Sequence, residues 1–238
     1  MFHHLLVPLD GLPMSESSLP AAARIARQAG ALLTLVHVIE RHAPAEIHSE
    51  RHLVTPAEAE AYLSEIARSP LLAGLRVETH VHEAEVRDVA RSIAEHTAEM
   101  APDLVVMSIH GMGGARRLVF GTIAQQVIGL GATPVLLVRP SRDSELARDW
   151  TSIVAPIDGN PVHEKSLPLA AMIASAFSCR LHLLMVIPNP QELTGSEKAA
   201  SVLMPGATRI KLEMESAGAE EYVAARAAEL SATGVQTD

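Results

Sequence analysis

A gapless internal repeat constrains this chain more than any other feature of its sequence. Setting Asp10 on Asp158, an offset of 148, aligns Pro8 with Pro156, Gly11 with Gly159, Glu16 with Glu164 and Ser18-Leu19-Pro20 with Ser166-Leu167-Pro168. The same offset aligns Ala22-Ala23 with Ala170-Ala171, Ile25-Ala26 with Ile173-Ala174 and Val38-Ile39 with Val186-Ile187. So many identities without a gap imply two copies of one fold. The first copy spans 1–140, "SRDSELARDW" (141–150) breaks the apolar rhythm as a linker, and 151–238 form a partial second copy. In that copy "EEYVAARAAEL" (220–230) corresponds to the second helix and "TGVQTD" to the entry of a third strand. Nothing after residue 150 matches "PDLVVMSIHGMGGARRLVFGT" or a fifth strand, so the second sheet is expected to carry open edges.

Within the first copy, strand-like apolar runs alternate with amphipathic segments. "HLLVPLD" (4–10) reads as a buried strand entering a turn, and "ALLTLVHVIE" (31–40), "LRVETHVH", "PDLVVMSIH" and "PVLLVRP" (134–140) as four more. Between them, Leu19, Ala22, Ala23 and Ala26 share a helix face that ends at Gly30. Thr55, Pro56 and Glu58 form a capping-box start, "VRDVARSIAEHTAEM" is a helix, and another begins near Thr122. Near-continuous Val/Leu strands separated by helices predict an open, Rossmann-like, five-stranded parallel sheet with helices on both faces, the α/β class, duplicated with the second copy truncated.

Composition narrows the function. A formal charge of -9 opposes a general nucleic-acid surface, which needs clustered Lys and Arg; Arg116-Arg117 is the one adjacent basic pair of note. No apolar run approaches membrane-spanning length and the N-terminus lacks a signal-peptide pattern, so no membrane contact and a cytoplasmic location are expected. The single Cys179 sits between a helix end and a strand, consistent with a buried, inert thiol. Among twelve histidines, His80 and His82 alternate as strand residues do, and no Cys/His cluster has zinc-finger spacing, so no structural metal is expected.

"SIHGMGGARRLVFGTIAQQV" (108–127) holds four of the fourteen glycines. Gly111 and Gly121 are separated by nine residues, Thr122 follows, and Ser108 occupies the place of an earlier glycine. With its flanking "VVMS" strand and "IAQQV" helix, this stretch resembles the signature G-x-x-G-x9-G-[ST] of the nucleotide-binding universal stress proteins. The resemblance covers nearly the whole chain. It implies an adenine-nucleotide α-hydrolase-like fold, a role in stress response, and binding of ATP or a related adenine nucleotide, with Mg2+ as companion ion.

By that resemblance, Asp10 meets the ribose or the adenine edge, Pro8 and Leu9 shape the wall beneath it, and Val38 supplies backbone contacts to adenine. Met107, Ser108, His110 and Gly111 line the ribose and phosphate side, and Gly121, Thr122 and Ile123 cradle phosphates. The physical chemistry agrees independently. Ligands of an open parallel sheet sit outside the carboxyl ends of its strands, glycines let backbone approach phosphate, and a helix N-terminus attracts an anion. Asp10 before Gly11 is equally a turn former, and Asp158-Gly159 repeats it in a copy without a phosphate loop. One nucleotide site per chain is therefore expected.

Three functional classes remain. The first is a nucleotide-dependent regulator, not a strong catalyst. The chain has no P-loop, no G-x-G-x-x-G after the first strand and no G-x-S-x-G elbow, so slow ATP hydrolysis has no catalytic motif behind it. A nucleotidyltransferase would place an H-x-G-H-type motif where "DGLP" stands. A nucleotide-independent scaffold of the same family draws on the loop-less second copy and on Ser108. Pairing of copies is expected in either surviving case, as a homodimer through the fifth strand or within one chain.

Overall fold

A computed structural model describes residues 1–41, 46–47, 50–51, 53–109, 122–140, 150–189 and 193–238. The chain divides into two compact units, Met1–Arg148 and Asp149–Asp238.

The first unit runs β1 (His4–Pro8), α1 (Pro13–Glu16), α2 (Leu19–Ala29), β2 (Leu32–Glu40), a short hairpin of β3 (Glu46–Ile47) and β4 (Glu50–Arg51), α3 (Pro56–Ala67), β5 (Arg76–Val86), α4 (Val89–Met100), β6 (Leu104–Ser108), α5 (Thr122–Leu130) and β7 (Val135–Val138). Its five-stranded sheet has the order β5-β2-β1-β6-β7, and every pairing is parallel. The expected α/β class is observed. Leu5, Leu6 and Val7 of β1, Leu33 and Leu35 of β2 and Leu104 to Val106 of β6 are fully buried, as strands covered on both faces require. Burying each such side chain stabilises the fold by about 1.5–3 kcal/mol relative to exposure.

The helix boundaries follow local chemistry. Gly30 ends α2 in the left-handed conformation, with φ 66°. At α3 the Thr55 hydroxyl oxygen accepts from the Glu58 N–H at 3.3 Å. The Glu58 carboxylate accepts in return from the Thr55 hydroxyl at 3.0 Å and the Val54 N–H at 3.4 Å, so the box closes on the residue before the cap. Helix α4 starts at Val89, where Asp88 caps the Arg91 N–H at 2.9 Å, later than the apolar pattern from Val86 suggests because β5 extends to that residue.

The second unit contains β8 (Ser152–Ile157), a 3-10 turn (Pro161–Ser166), α6 (Leu167–Phe177), β9 (Arg180–Met185), α7 (Gly195–Leu203) and α8 (Pro205–Ser231). Strands β8 and β9 pair in parallel, and Leu181 N–H and Leu183 N–H donate to the Gln236 and Asp238 carbonyls at 2.8 and 2.9 Å. Thr237 thus forms an isolated parallel bridge with Leu181 of β9. Trp150, the last residue of the stretch read as linker, stacks edge-on against Phe177 at 4.8 Å.

One face of this second sheet is bare among the described residues of its unit. Val154, Leu184 and Val186 are 58%, 49% and 81% exposed, whereas their first-copy counterparts Leu6, Val36 and Val38 are 0%, 1% and 7% exposed. In the first copy, residues of α4, α5 and β6 cover those positions.

Candidate functional site

Strand order reverses at β1, which has β2 on one side and β6 on the other, and this places a crevice beyond the carboxyl end of β1. The last β1–β2 rung is Pro8 with Val36, and the Leu9 N–H still donates to the Val36 carbonyl at 2.9 Å. Backbone groups in a strand alternate sides with a period of two residues. The N–H and C=O of Val38 therefore turn to the same side as those of Val36, past the point where β1 has ended. The Val38 side chain points into the core with Leu6, Ala90, Ile93, Val105, Met107, Ala124 and Val127.

The turn after β1 is tightly fastened. Asp10 Oδ1 accepts from the Leu12 N–H at 2.9 Å, the Asp10 N–H donates to Ser15 Oγ at 3.3 Å, and the Ser15 hydroxyl donates to the Leu12 carbonyl at 2.8 Å. Asp10 is thus a turn former here, as its sequence context allows. Gly11 has φ +89°, and a Cβ there would lie 2.7 Å from Leu53 Cγ, so both conformation and space demand glycine. Two side chains that the sequence does not single out hold this turn from outside. Buried His37 donates from Nδ1 to the Leu9 carbonyl at 2.7 Å, and the Tyr62 hydroxyl donates to Glu16 Oε1 at 3.0 Å. Burial, with the Glu16 charge second, pushes the Tyr62 hydroxyl well above its ordinary range, so it stays protonated and donating. Only the Glu16–Glu164 identity in the repeat hints at the tyrosine contact, and nothing local marks His37.

The structure brings Pro8, Leu9, Asp10, Val38, Met107 and Ser108 to one end of the sheet, at the termini of β1, β2 and β6. Leu9, Val38, Met107 and Ser108 are buried, and Pro8 and Asp10 half-buried. Ser108 closes β6 opposite Val138. Thr122 opens α5; Ile123 next to it is 42% exposed, while Ala124 and Val127 anchor the helix to the core. His110, Gly111 and Gly121 lie outside the described residues, as does the rest of the glycine loop.

The second copy repeats the turn but changes its surroundings. Asp158 Oδ1 accepts from the Asn160 N–H at 3.0 Å, and Oδ2 takes the Nδ1–H of His163 at 2.5 Å. That hydrogen bond, helped by the Asn160 N–H, holds the Asp158 carboxyl below its usual range. Asp158 lines a cleft of about 480 Å³ together with Glu197, Glu215, Val186 and Tyr222. Lys211 pairs with Glu197 at 3.1 Å and Glu215 at 3.5 Å, which leaves carboxylates in excess. Such a lining repels phosphate. Among the described residues no three His, Cys, Asp or Glu side chains are arranged to hold a metal ion, and no helix is long and apolar enough to cross a membrane.

The fold defines an α/β protein of the open parallel-sheet class whose strand order reverses at β1. The model of the universal stress protein family matches residues 1–139, and the chain belongs to that family. It is 28% identical over 151 residues to universal stress protein YxiE of Bacillus subtilis, covering 58% of this chain and 100% of the relative. It is 29% identical over 139 residues to universal stress protein Sll1654 of Synechocystis, covering 58% of this chain and 86% of that protein. Among solved structures, a universal stress protein of Pseudomonas aeruginosa shares the fold with a TM-score of 0.59 at 19% identity, covering 93% of this chain and 70% of that one.

Proposed function

We propose that this chain binds ATP or a related adenine nucleotide in the crevice at the end of β1 and acts in stress response as a nucleotide-dependent regulator. The observation that carries the reading is the backbone of Val38, turned toward the crevice past the last β1 rung and across from the Asp10 turn. A peptide N–H and C=O so placed fit the donor and acceptor pattern of an adenine edge. Thr122 begins a helix whose first N–H groups favour phosphate, and the Gly111–Gly121 spacing supplies backbone that can approach it. Asp10, whose Oδ1 holds the Leu12 N–H, is the residue the family resemblance sets beside the ribose or the adenine edge. The acidic cleft of the second unit supports one site per chain.

Isothermal titration with ATP, with and without Mg2+, tests this: saturable binding of one nucleotide per chain is expected, and no detectable affinity at millimolar ATP overturns it. The chain acts by binding and not by catalysis, so any phosphate release is slow. Strand β7 is the outermost strand of the first sheet, and its half-buried Val135, Leu136 and Leu137 suit pairing with a second copy, read as a dimer mass by sedimentation. A cytoplasmic site of action accords with an adenine-nucleotide ligand. The nucleotide-independent scaffold reading draws on the bare Val154–Leu184–Val186 face, and it predicts an oligomeric state that ignores ATP.

A further inference from the structure

Three imidazoles meet between the edge strand β5 and helix α4. His96 is 4% exposed, and its Nδ1–H donates to the Ser92 carbonyl at 2.7 Å, one helical turn back. In the neutral ring that bond places the proton on Nδ1 and leaves Nε2 as an acceptor. His80 Nε2 lies 2.9 Å from it and therefore supplies the proton. The His82 ring stands edge-on to His96 with centroids 5.0 Å apart. A contact between two Nε2 atoms holds a single proton; a second would set two N–H groups head to head at 2.9 Å between the buried His96 ring and the half-buried His80 ring.

The groups facing this contact are of both kinds, carboxylates that favour added positive charge and imidazoles that oppose it. On β5 they are Glu78 and His82, which share the face of His80 by strand alternation. On α4 the charged neighbour is Glu99, one turn beyond His96, and His4 reaches the end of that helix through the Met100 carbonyl at 3.2 Å. The register partners of His80 and His82 on β2 are Val36 and Val38, and α5 carries no titratable residue. Burial, then His96 and His82, push the His80 imidazole below its ordinary range against the opposing pull of Glu99. The buried stripe of α4 that bears His96 also bears Ala90 and Ile93, which pack against Val38 and Met107.

We propose that the His80–His96 contact is an acid-sensitive latch: protonating both rings unfastens α4 from β5 and loosens the floor under Val38 and Met107, so that nucleotide affinity falls with acidity. The effect on affinity rests on the proposed nucleotide site, whereas the effect on stability does not. Where a folded-state imidazole is depressed, the unfolded chain binds more protons, so stability is lost as pH falls below about 6.5.

His80→Gln keeps an N–H donor for His96 but does not titrate near neutrality, so it separates the latch from the other histidines and from the ligand's own titration. Urea unfolding from pH 7.5 to 5.0 should show the wild type losing stability more steeply than the variant. ATP affinity should fall over that range in the wild type and fall less steeply in the variant. Parallel pH curves for the two proteins overturn the latch. If ATP binds neither protein at any pH, the nucleotide reading fails while the unfolding curves still decide the latch.

Discussion

The Tyr62 hydroxyl donates to Glu16 Oε1 at 3.0 Å, and the second copy repeats the contact, with the Tyr222 hydroxyl 2.7 Å from Glu164 Oε1. In each copy the glutamate lies in a short helical segment after the first strand, and the tyrosine comes from a helix further on. The pair fastens the turn that carries Asp10 or Asp158 to the body of its unit.

Removing the Tyr62 hydroxyl should therefore act on both stability and the crevice. Tyr62→Phe leaves the half-buried Glu16 carboxylate without this donor, at a cost of about 1–2 kcal/mol. Urea unfolding reads the cost, and titration with ATP should show weaker binding because the Asp10 turn is less restrained. Unchanged values in both measurements would contradict a fastening role.

Gly11 and Gly159 occupy equivalent turns at φ +89° and +80°, yet they should respond differently to alanine. Both substitutions strain the backbone, by roughly 1–3 kcal/mol. At Gly11 the added Cβ would also meet Leu53 Cγ at 2.7 Å, a branch point that cannot swing away alone. At Gly159 it would meet Met185 Cε at 3.1 Å, the free end of a flexible side chain. Gly11→Ala is expected to be the more destabilising in parallel unfolding curves, and the reverse order would show that the turns are not restrained as described.

How much of this can be read from the sequence depends on the range of the interaction. The buried strands, the Gly30 stop and the Thr55-Pro56 start are legible because apolar runs and caps act within a few residues. The first half of α8 is not, since Arg209–Glu213 and Lys211–Glu215 stabilise it by exposed i,i+4 pairs and no apolar stripe marks it. The crevice residues at strand ends are legible from the topology that the strand–helix alternation implies. His37 on Leu9, Tyr62 on Glu16 and His80 on His96 are not, because each depends on how separate elements rotate against one another.

Ser108 stands where the family signature has its first glycine, and it is 6% exposed at the end of β6. Ser108→Gly should remove a side chain from the phosphate side of the crevice and tighten ATP binding by about threefold or more, or at least about 0.6 kcal/mol. The same change should cost about 0.5–1 kcal/mol of stability, because glycine in a strand loses more chain entropy on folding. An affinity that does not rise would mean that the loop tolerates serine or does not hold the phosphates.

Cys179 is 2% exposed, and its thiol donates to the Trp150 carbonyl at 2.8 Å. A thiol so enclosed cannot reach a reagent in solution. Ellman's reagent should leave the native protein unlabelled and modify one thiol per chain in urea, at a rate that follows unfolding of the second unit. Prompt labelling of the native protein would place Cys179 outside the core.

Asp103, before β6, accepts from the His3 and His4 N–H groups and so ties the starts of β6 and β1 together. Burial pushes its carboxyl upward, but the two N–H donors outweigh burial and hold it below its ordinary value of about 4. A depressed carboxylate contributes stability that is present above that value and lost as pH falls through the folded-state pKa. Asp103→Asn keeps one acceptor oxygen and removes the titration, so its unfolding curve should be flatter than the wild type below pH 4 and parallel to it between pH 7.5 and 5. The His80→Gln difference falls in that upper window. The two variants should therefore flatten separate parts of the pH curve, and one window affected by both would tie the two contacts to a single titration.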